Sequence, residues 1–347
     1  MRLPYWRALA GLGLLGVSSW ANAGLLSGLQ QSLAAAQAAL QQTRAAMAAS
    51  LDQMEQAFAL TRLKLEGQYL EPTPGTTSFD ETIVYQGNGR QSLVIRPQAD
   101  ASALAPAVIL LHFGYGTPQT MANLAHAGRL AAEHGAWVIL PTAENRHWNE
   151  DPSLDSGIDD VGYIAAVIDS AIATHPIDPT RIYIAGMSNG GFMTSRFVCA
   201  HPERIAAAAQ VAASMRKSEA ALCQPAQAVP MTLILGTRDP LVQYNARYGL
   251  LSGPDTFLRW QQINGCDADG VLSESIADSA RDGTATTLSH NEVCSSGAAV
   301  QLYTVNGGGH TWPEGTDANA MLHIGRTSHD FSATDAMWDF FKDYRRS

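Results

Sequence analysis

Five short runs in this chain are mostly apolar and do not alternate with polar residues, and they constrain its fold more than any other feature. They are Ala107–Leu111, Ala136–Leu140, Ile182–Ala185, Met231–Leu235 and Val300–Val305. A strand with one face in water alternates apolar and polar residues. A strand without that alternation is buried on both faces, as in a parallel sheet covered by helices. Helical patterns separate the runs. One extends over residues 118–133, and one over 159–173 sets Val161, Ile164, Ile168 and Ile172 close to one face; a last helix is expected over 335–344. The implied class is α/β, with a mostly parallel central sheet and helices on both faces. Thr82–Tyr85 and Ser92–Ile95 read as a β-hairpin around a turn containing Asn88-Gly89. With 347 residues, 46% of them hydrophobic, the chain can bury a large core; single α/β domains of about 250 residues are ordinary.

The amino terminus is expected to be a signal peptide, residues 1–23. Arg2 and Arg7 precede an apolar stretch from Ala8 to Val17, and Ala21-Asn22-Ala23 supplies a small-x-small cleavage site. The apolar stretch is too short for a permanent membrane anchor. Gly11-Leu12-Gly13-Leu14-Leu15-Gly16 matches a dinucleotide-binding pattern, but inside a signal it has no strand–helix context. Export to the periplasm or the medium follows, and cysteines there tend to pair. Cys199, Cys223, Cys266 and Cys294 allow three pairings; Cys199–Cys223 and Cys266–Cys294 are favoured because each closes a local loop, against one bridge with two buried thiols. Residues 24–71 form an expected helical extension, rich in Ala, Gln and Leu up to residue 66, with no basic face to suit a membrane surface. Pro72-Thr73-Pro74-Gly75 ends it, leaving 76–347 as the catalytic domain. A net charge of −10 argues against nucleic acid as the partner.

Gly186-Met187-Ser188-Asn189-Gly190 follows one of the apolar runs and opens a helical segment. A serine hydroxyl needs a neighbouring base, and the base needs an acid to orient it. In a G-x-S-x-G turn between strand and helix the serine is the nucleophile, and the acid and then the histidine follow it in the chain. Asp239, in Gly236-Thr237-Arg238-Asp239-Pro240, comes just after the run 231–235. His310, in Gly307-Gly308-Gly309-His310-Thr311-Trp312-Pro313, comes just after the run 300–305. His290, His323 and His329 lack that setting. Ester hydrolysis also needs backbone N–H donors for the tetrahedral oxyanion. Asn189 supplies one. The loop His112-Phe113-Gly114-Tyr115-Gly116 supplies the other, from Phe113 or alternatively Gly114.

These motifs resemble the secreted polyhydroxybutyrate depolymerase and feruloyl esterase-like α/β-hydrolases. The matching segments are Ile177-Asp178-Pro179-Thr180-Arg181-Ile182-Tyr183 running into the Ser188 turn, the Asp239 and His310 loops, Asn264-Gly265-Cys266 and the segment 333–341. The resemblance implies an α/β-hydrolase fold and a Ser188–His310–Asp239 triad acting on an ester, without metal or cofactor. The family's oxyanion loop usually begins His-Gly, whereas here His112 precedes Phe113. That ring adds to Tyr115, Trp148 and Trp312 as an expected substrate-facing aromatic surface, with core packing as the alternative. Polyhydroxybutyrate-type polyesters or oligomers are the first substrate class, and hydroxycinnamoyl (feruloyl) esters the second. A peptidase or a catalytically silent binding protein on the same scaffold are the readings from other classes. No H-E-x-x-H or C-x-x-C spacing points to a metal.

Overall fold

The computed structural model describes residues 27–47, 50, 66–98, 103–154, 156–247, 249–291, 294–316 and 324–346. The chain divides into two units, residues 1–63 and 64–347. The expected signal peptide lies outside the described residues. Of the expected extension, residues 27–47 form one helix, α1, exposed along its length. No helix among the described residues is long and apolar enough to cross a membrane.

The second unit is built on one ten-stranded sheet. Its strands are β1 (Thr76–Tyr85), β2 (Asn88–Pro97), β3 (Ala105–Leu111), β4 (Trp137–Pro141), β5 (Ile177–Met187), β6 (Ala207–Val211), β7 (Met231–Gly236), β8 (Val271–Ser275), β9 (Ala285–Asn291) and β10 (Val300–Asn306). They lie in the order β1-β2-β4-β3-β5-β6-β7-β10-β9-β8. The six strands from β4 to β10 in that order run parallel, and an antiparallel pair closes each edge. The helices are α2 (Pro118–Leu124), α3 (Gly128–His134), α4 (Asp160–Thr174), α5 (Asn189–Ala200), α6 (Lys217–Leu222), α7 (Gly253–Asn264) and α8 (Ala333–Phe341).

Both faces of the central strands are buried, which explains their continuous apolar runs. Ile109, Leu111, Ile182, Ile184 and Leu233 pack with Ile164 and Ile168 of α4, Phe197 of α5 and Trp260 of α7. Val108, Leu110, Tyr183 and Ala185 pack on the opposite face with Met121 of α2, Leu130 of α3 and Phe341 of α8. Each fully buried Leu or Ile contributes roughly 1.5–3 kcal/mol over the exposed state, so these strands outweigh local helix propensity in setting the architecture.

Three local expectations are corrected. The hairpin turn falls on Gln86 and Gly87, both at positive φ (50° and 81°), and Asn88-Gly89 belongs to β2 opposite Tyr85 and Val84. The helix expected over 118–133 is two. Thr117 caps α2 through a reciprocal pair with Thr120, and the chain breaks at His126, which takes φ 47°. Long-range bonds fix the break: Thr334 Oγ1 donates to Ala125 O at 2.6 Å and Thr316 Oγ1 to Asn123 O at 2.7 Å. The last helix begins at Ala333, because Ser332 caps it by accepting from Asp335 N.

The two disulfides are Cys199–Cys223 and Cys266–Cys294, the local pairs. Beside the first lies Glu219 of α6, 3% exposed, with Oε1 3.7 Å from Cys199 Sγ. Burial pushes its carboxyl up to about 8. An acid with a raised folded pKa stabilises the fold fully below its unfolded value, and that contribution is lost as pH rises through the folded one. Glu219→Gln is therefore expected to melt above the wild type at pH 9, with the gap shrinking toward pH 5. Melting curves across that range check it; a gap independent of pH contradicts it.

Candidate active site

Ser188 sits where β5 turns into α5, at φ 54° and ψ −121°. This is a conformation that L-residues avoid and that persists only when the surroundings enforce it. They do so through glycines. A Cβ on Gly186 would lie 2.3 Å from Gly190 O, and one on Gly190 would lie 2.4 Å from Leu111 O. The turn is thus pressed against its own helix start and the end of β3. Ser188 N–H donates to Val211 O at 2.9 Å, anchoring the turn to β6 as well.

Asp239 follows β7 and His310 follows β10, the neighbouring parallel strand. Their side chains meet: His310 Nδ1 and Asp239 Oδ2 are 2.7 Å apart, with both residues 5% exposed. The other carboxylate oxygen, Oδ1, accepts from Leu241 N and Val242 N, each at 2.8 Å, so the acid cannot rotate freely. The loops are joined backbone to backbone as well. Arg238 N–H donates to Gly308 O at 2.8 Å, and a Cβ on Gly236 would lie 2.4 Å from Gly309 O.

Ser188, Asn189 and His310 line one cavity of about 510 Å³. Phe113, Gly114, Tyr115, Leu124, His147, Met187, Leu241, Thr311, Trp312, Thr316, Ile324 and Thr327 also line it, and no Asp, Glu, Lys or Arg is among these described residues. Of the aromatic residues expected to face substrate, Tyr115 is 73% exposed and lines the cavity, and so does Trp312, whose Nε1 donates to Thr334 Oγ1. Trp312 and Trp148 are both 1% exposed, but only Trp312 lines the cavity; Trp148 takes the core-packing alternative, its Nε1 donating to His112 O at 2.9 Å. Leu124, His147, Leu241 and Ile324 were not singled out from the sequence. Only the rule that ligands meet the carboxyl ends of parallel strands pointed to the loops that carry most of them.

The loop after β3 is held from below by His112. Its Nδ1–H donates to Phe113 O at 2.8 Å, and its Nε2 accepts from Ala143 N–H at 3.0 Å, which requires a neutral ring. Asn189 ties the helix start to the same region, its Oδ1 accepting from Trp148 N at 2.7 Å and its Nδ2 donating to Trp148 O at 3.0 Å. The amides of Phe113 and Asn189 bond to no other described residue.

A mostly parallel sheet with a strand–serine–helix turn and a buried Asp–His pair on two later strand ends defines the α/β-hydrolase class. A profile of the prolyl oligopeptidase family matches residues 142–222. NocK of Nocardia uniformis subsp. tsuyamanensis, a protein named as an esterase, is 30% identical over 76% of this chain and 82% of its own. Feruloyl esterase B of Piromyces equi is 28% identical over 61% of this chain and 40% of its own. Poly(3-hydroxyalkanoate) depolymerase C of Paucimonas lemoignei is 32% identical over 32% of this chain and 28% of its own. The matches to these two thus span less than half of either relative. The acetyl xylan esterase structure from Aspergillus awamori shares the fold, with a TM-score of 0.54, 17% identity, and coverage of 68% of this chain and 94% of that one. The chain belongs to the polyhydroxybutyrate depolymerase and feruloyl esterase-like family of α/β-hydrolases and is a carboxylic ester hydrolase.

Burial lowers the His112 pKa to about 4, with Arg146, Arg90 and His147 adding to the shift and the bond to Phe113 O opposing it. In the unfolded chain this ring titrates near 6.5. A depressed folded pKa gives stability that is complete above the unfolded value and is lost as pH falls through the folded one. The stability advantage of the wild type over His112→Gln is therefore expected to shrink between pH 7 and pH 4. Denaturant midpoints across that range measure it, and a constant advantage would contradict the neutral ring.

Proposed function

We propose that Ser188 is the nucleophile, His310 the base and then the acid, and Asp239 the residue that holds the imidazole in its working tautomer. The observation that carries this reading is the 2.7 Å contact between His310 Nδ1 and Asp239 Oδ2 beside a cavity that Ser188 also lines. With Nδ1–H donated to the carboxylate, Nε2 is the basic nitrogen. In acylation, Ser188 Oγ bonds to the ester carbonyl carbon while His310 Nε2 takes the hydroxyl proton. The tetrahedral oxyanion is stabilised by the N–H of Asn189 and by a loop amide, Phe113 N–H or alternatively Gly114 N–H. Collapse expels the alcohol, which receives the proton from His310 and leaves an acyl-Ser188 ester. Water then repeats the sequence, releasing the carboxylic acid and restoring Ser188.

The described lining supports a neutral substrate, because none of its residues is an Asp, Glu, Lys or Arg that would pair with a charged group. Its aliphatic and aromatic residues suit an apolar acyl chain, and polyhydroxybutyrate-type oligomers are the substrate class we infer first. Feruloyl esters are the second, favoured by the exposed ring of Tyr115 at the wall. The prolyl oligopeptidase match motivates a peptide arm in the test. Two disulfides and the leader pattern of residues 1–23 support export, to the periplasm or the medium, of a chain in which an extension over 24–71 precedes the catalytic domain.

Wild type and Ser188→Ala are to be compared on nitrophenyl butyrate, hydroxybutyrate oligomers, methyl ferulate and a peptide amide. We expect ester turnover that falls at least about 10³-fold in Ser188→Ala, and a drop of roughly 10³–10⁴-fold in kcat for Asp239→Asn. Equal ester rates for wild type and Ser188→Ala would overturn the nucleophile assignment. Turnover confined to the peptide would overturn the substrate class.

A further inference from the structure

We propose that Arg146 is the positioning residue of the oxyanion loop, fixing residues 113–116 and polarising Gly114 N–H, one of the loop's two donors for the developing charge. This rests on the reading of Ser188 as the nucleophile. Tyr115 N–H donates to Arg146 O at 2.7 Å, and Gly116 N–H donates to Phe113 O at 2.9 Å, so neither amide is free for a ligand. The amides of Phe113 and Gly114 bond to no other described residue. The loop's N–H donors left for an oxyanion are therefore these two, next to Asn189 on the same cavity wall.

Arg146 grips the loop from both sides of its own residue. Its carbonyl accepts from Tyr115 N–H, while its guanidinium donates from Nε to Gly116 O at 3.1 Å and from Nη2 to Tyr115 O. None of the described carboxylates forms an ion pair with it. The cation is thus spent on peptide carbonyls, and its planar fork reaches two of them at adjacent residues, which a single ammonium does less well. The grip holds an unusual backbone: Tyr115, Asn145 and Arg146 all have positive φ (63°, 53° and 58°) without being glycine. Such residues persist only where the surroundings over-determine them, and they gather at working sites.

The same bonds form a relay. Arg146 binds Tyr115 O; that carbonyl shares its peptide group with Gly116 N–H, which donates to Phe113 O. Phe113 C=O in turn shares its peptide group with Gly114 N–H. Hydrogen bonds in series polarise one another, so the guanidinium charge strengthens Gly114 N–H as a donor through two peptide groups. Phe113 N–H is treated likewise, since its partner carbonyl, His112 O, accepts from Trp148 Nε1.

The test uses the full chain with nitrophenyl butyrate as substrate and an alkyl trifluoromethyl ketone as the tetrahedral mimic. Losing a whole oxyanion donor costs about 10²–10³-fold in kcat, so weakening one should cost roughly 10–100-fold. For Arg146→Ala we expect that fall in kcat with KM within threefold, and a ketone Ki raised by the factor by which kcat/KM falls. Arg146→Lys should be intermediate, and added guanidinium should restore part of the Arg146→Ala rate. Should Arg146→Ala not fold, Arg146→Gln carries the same comparison. A kcat within twofold of wild type, a change confined to KM, or a ketone Ki unmoved while kcat/KM drops would each overturn the proposal. Loss of turnover in Ser188→Ala upholds the parent reading whichever way Arg146 falls, so the two can fail separately.

Discussion

The active site depends on backbone packed directly against backbone at the carboxyl ends of the central strands. Gly190 meets the carbonyl of Leu111, Gly186 meets Gly190, and Gly236 meets Gly308 and Gly309, all at distances that leave no room for a Cβ. Side chains at these points would separate the loops by more than an ångström, further than a hydrogen-bonded site tolerates. The contacts join three strand ends, β3, β5 and β7, to their neighbours. Rigidity at the chemistry therefore comes from the sheet and its glycines, and the side chains inherit it. The strained φ of Ser188 is one consequence, and the 2.7 Å approach of His310 to Asp239 is another.

On this frame the polar groups around the cavity are nearly all committed inward. Asp239 Oδ1 is taken by two amides, His112 by a carbonyl and an amide, and Asn189 by Trp148. Among the described residues, what faces the cavity is apolar or aromatic, apart from the groups that our mechanism uses, a second imidazole at His147 and three threonines. A wall of that kind lowers the local dielectric, which strengthens the interaction of oriented N–H dipoles with a developing oxyanion.

Much of this was legible in the sequence, for a physical reason. Buried parallel strands must be apolar throughout, and the glycine-rich turns after them must be glycine-rich to pack, so strand and loop positions are written locally. The nucleophile candidate and its two partners each follow such a strand, which is why the sequence alone singles out Ser188, Asp239 and His310. The failures are all tertiary. Ala207–Val211 reads as Ala-Ala-Ala-Gln-Val, a helix-like composition, yet it is a core strand because both of its neighbours pair with it. The break at His126 is set by residues about 190 and 210 positions away in the chain, Thr316 and Thr334. Trp148 carried two readings, substrate contact or core packing, and the bond of its indole N–H to His112 O, which decides for the core, is tertiary. His147, beside it, carries no sequence signal that separates it from any exposed histidine.

The central claim is that Ser188 forms a covalent acyl or phosphonyl adduct while held by the glycine-packed turn. The most direct measurement is intact and peptide mass spectrometry after treatment with a fluorophosphonate ester. Our account predicts a single adduct per chain, on the peptide containing Ser188, absent in Ser188→Ala and formed much more slowly in His310→Ala. An adduct on another residue, or equal labelling of Ser188→Ala, would contradict it.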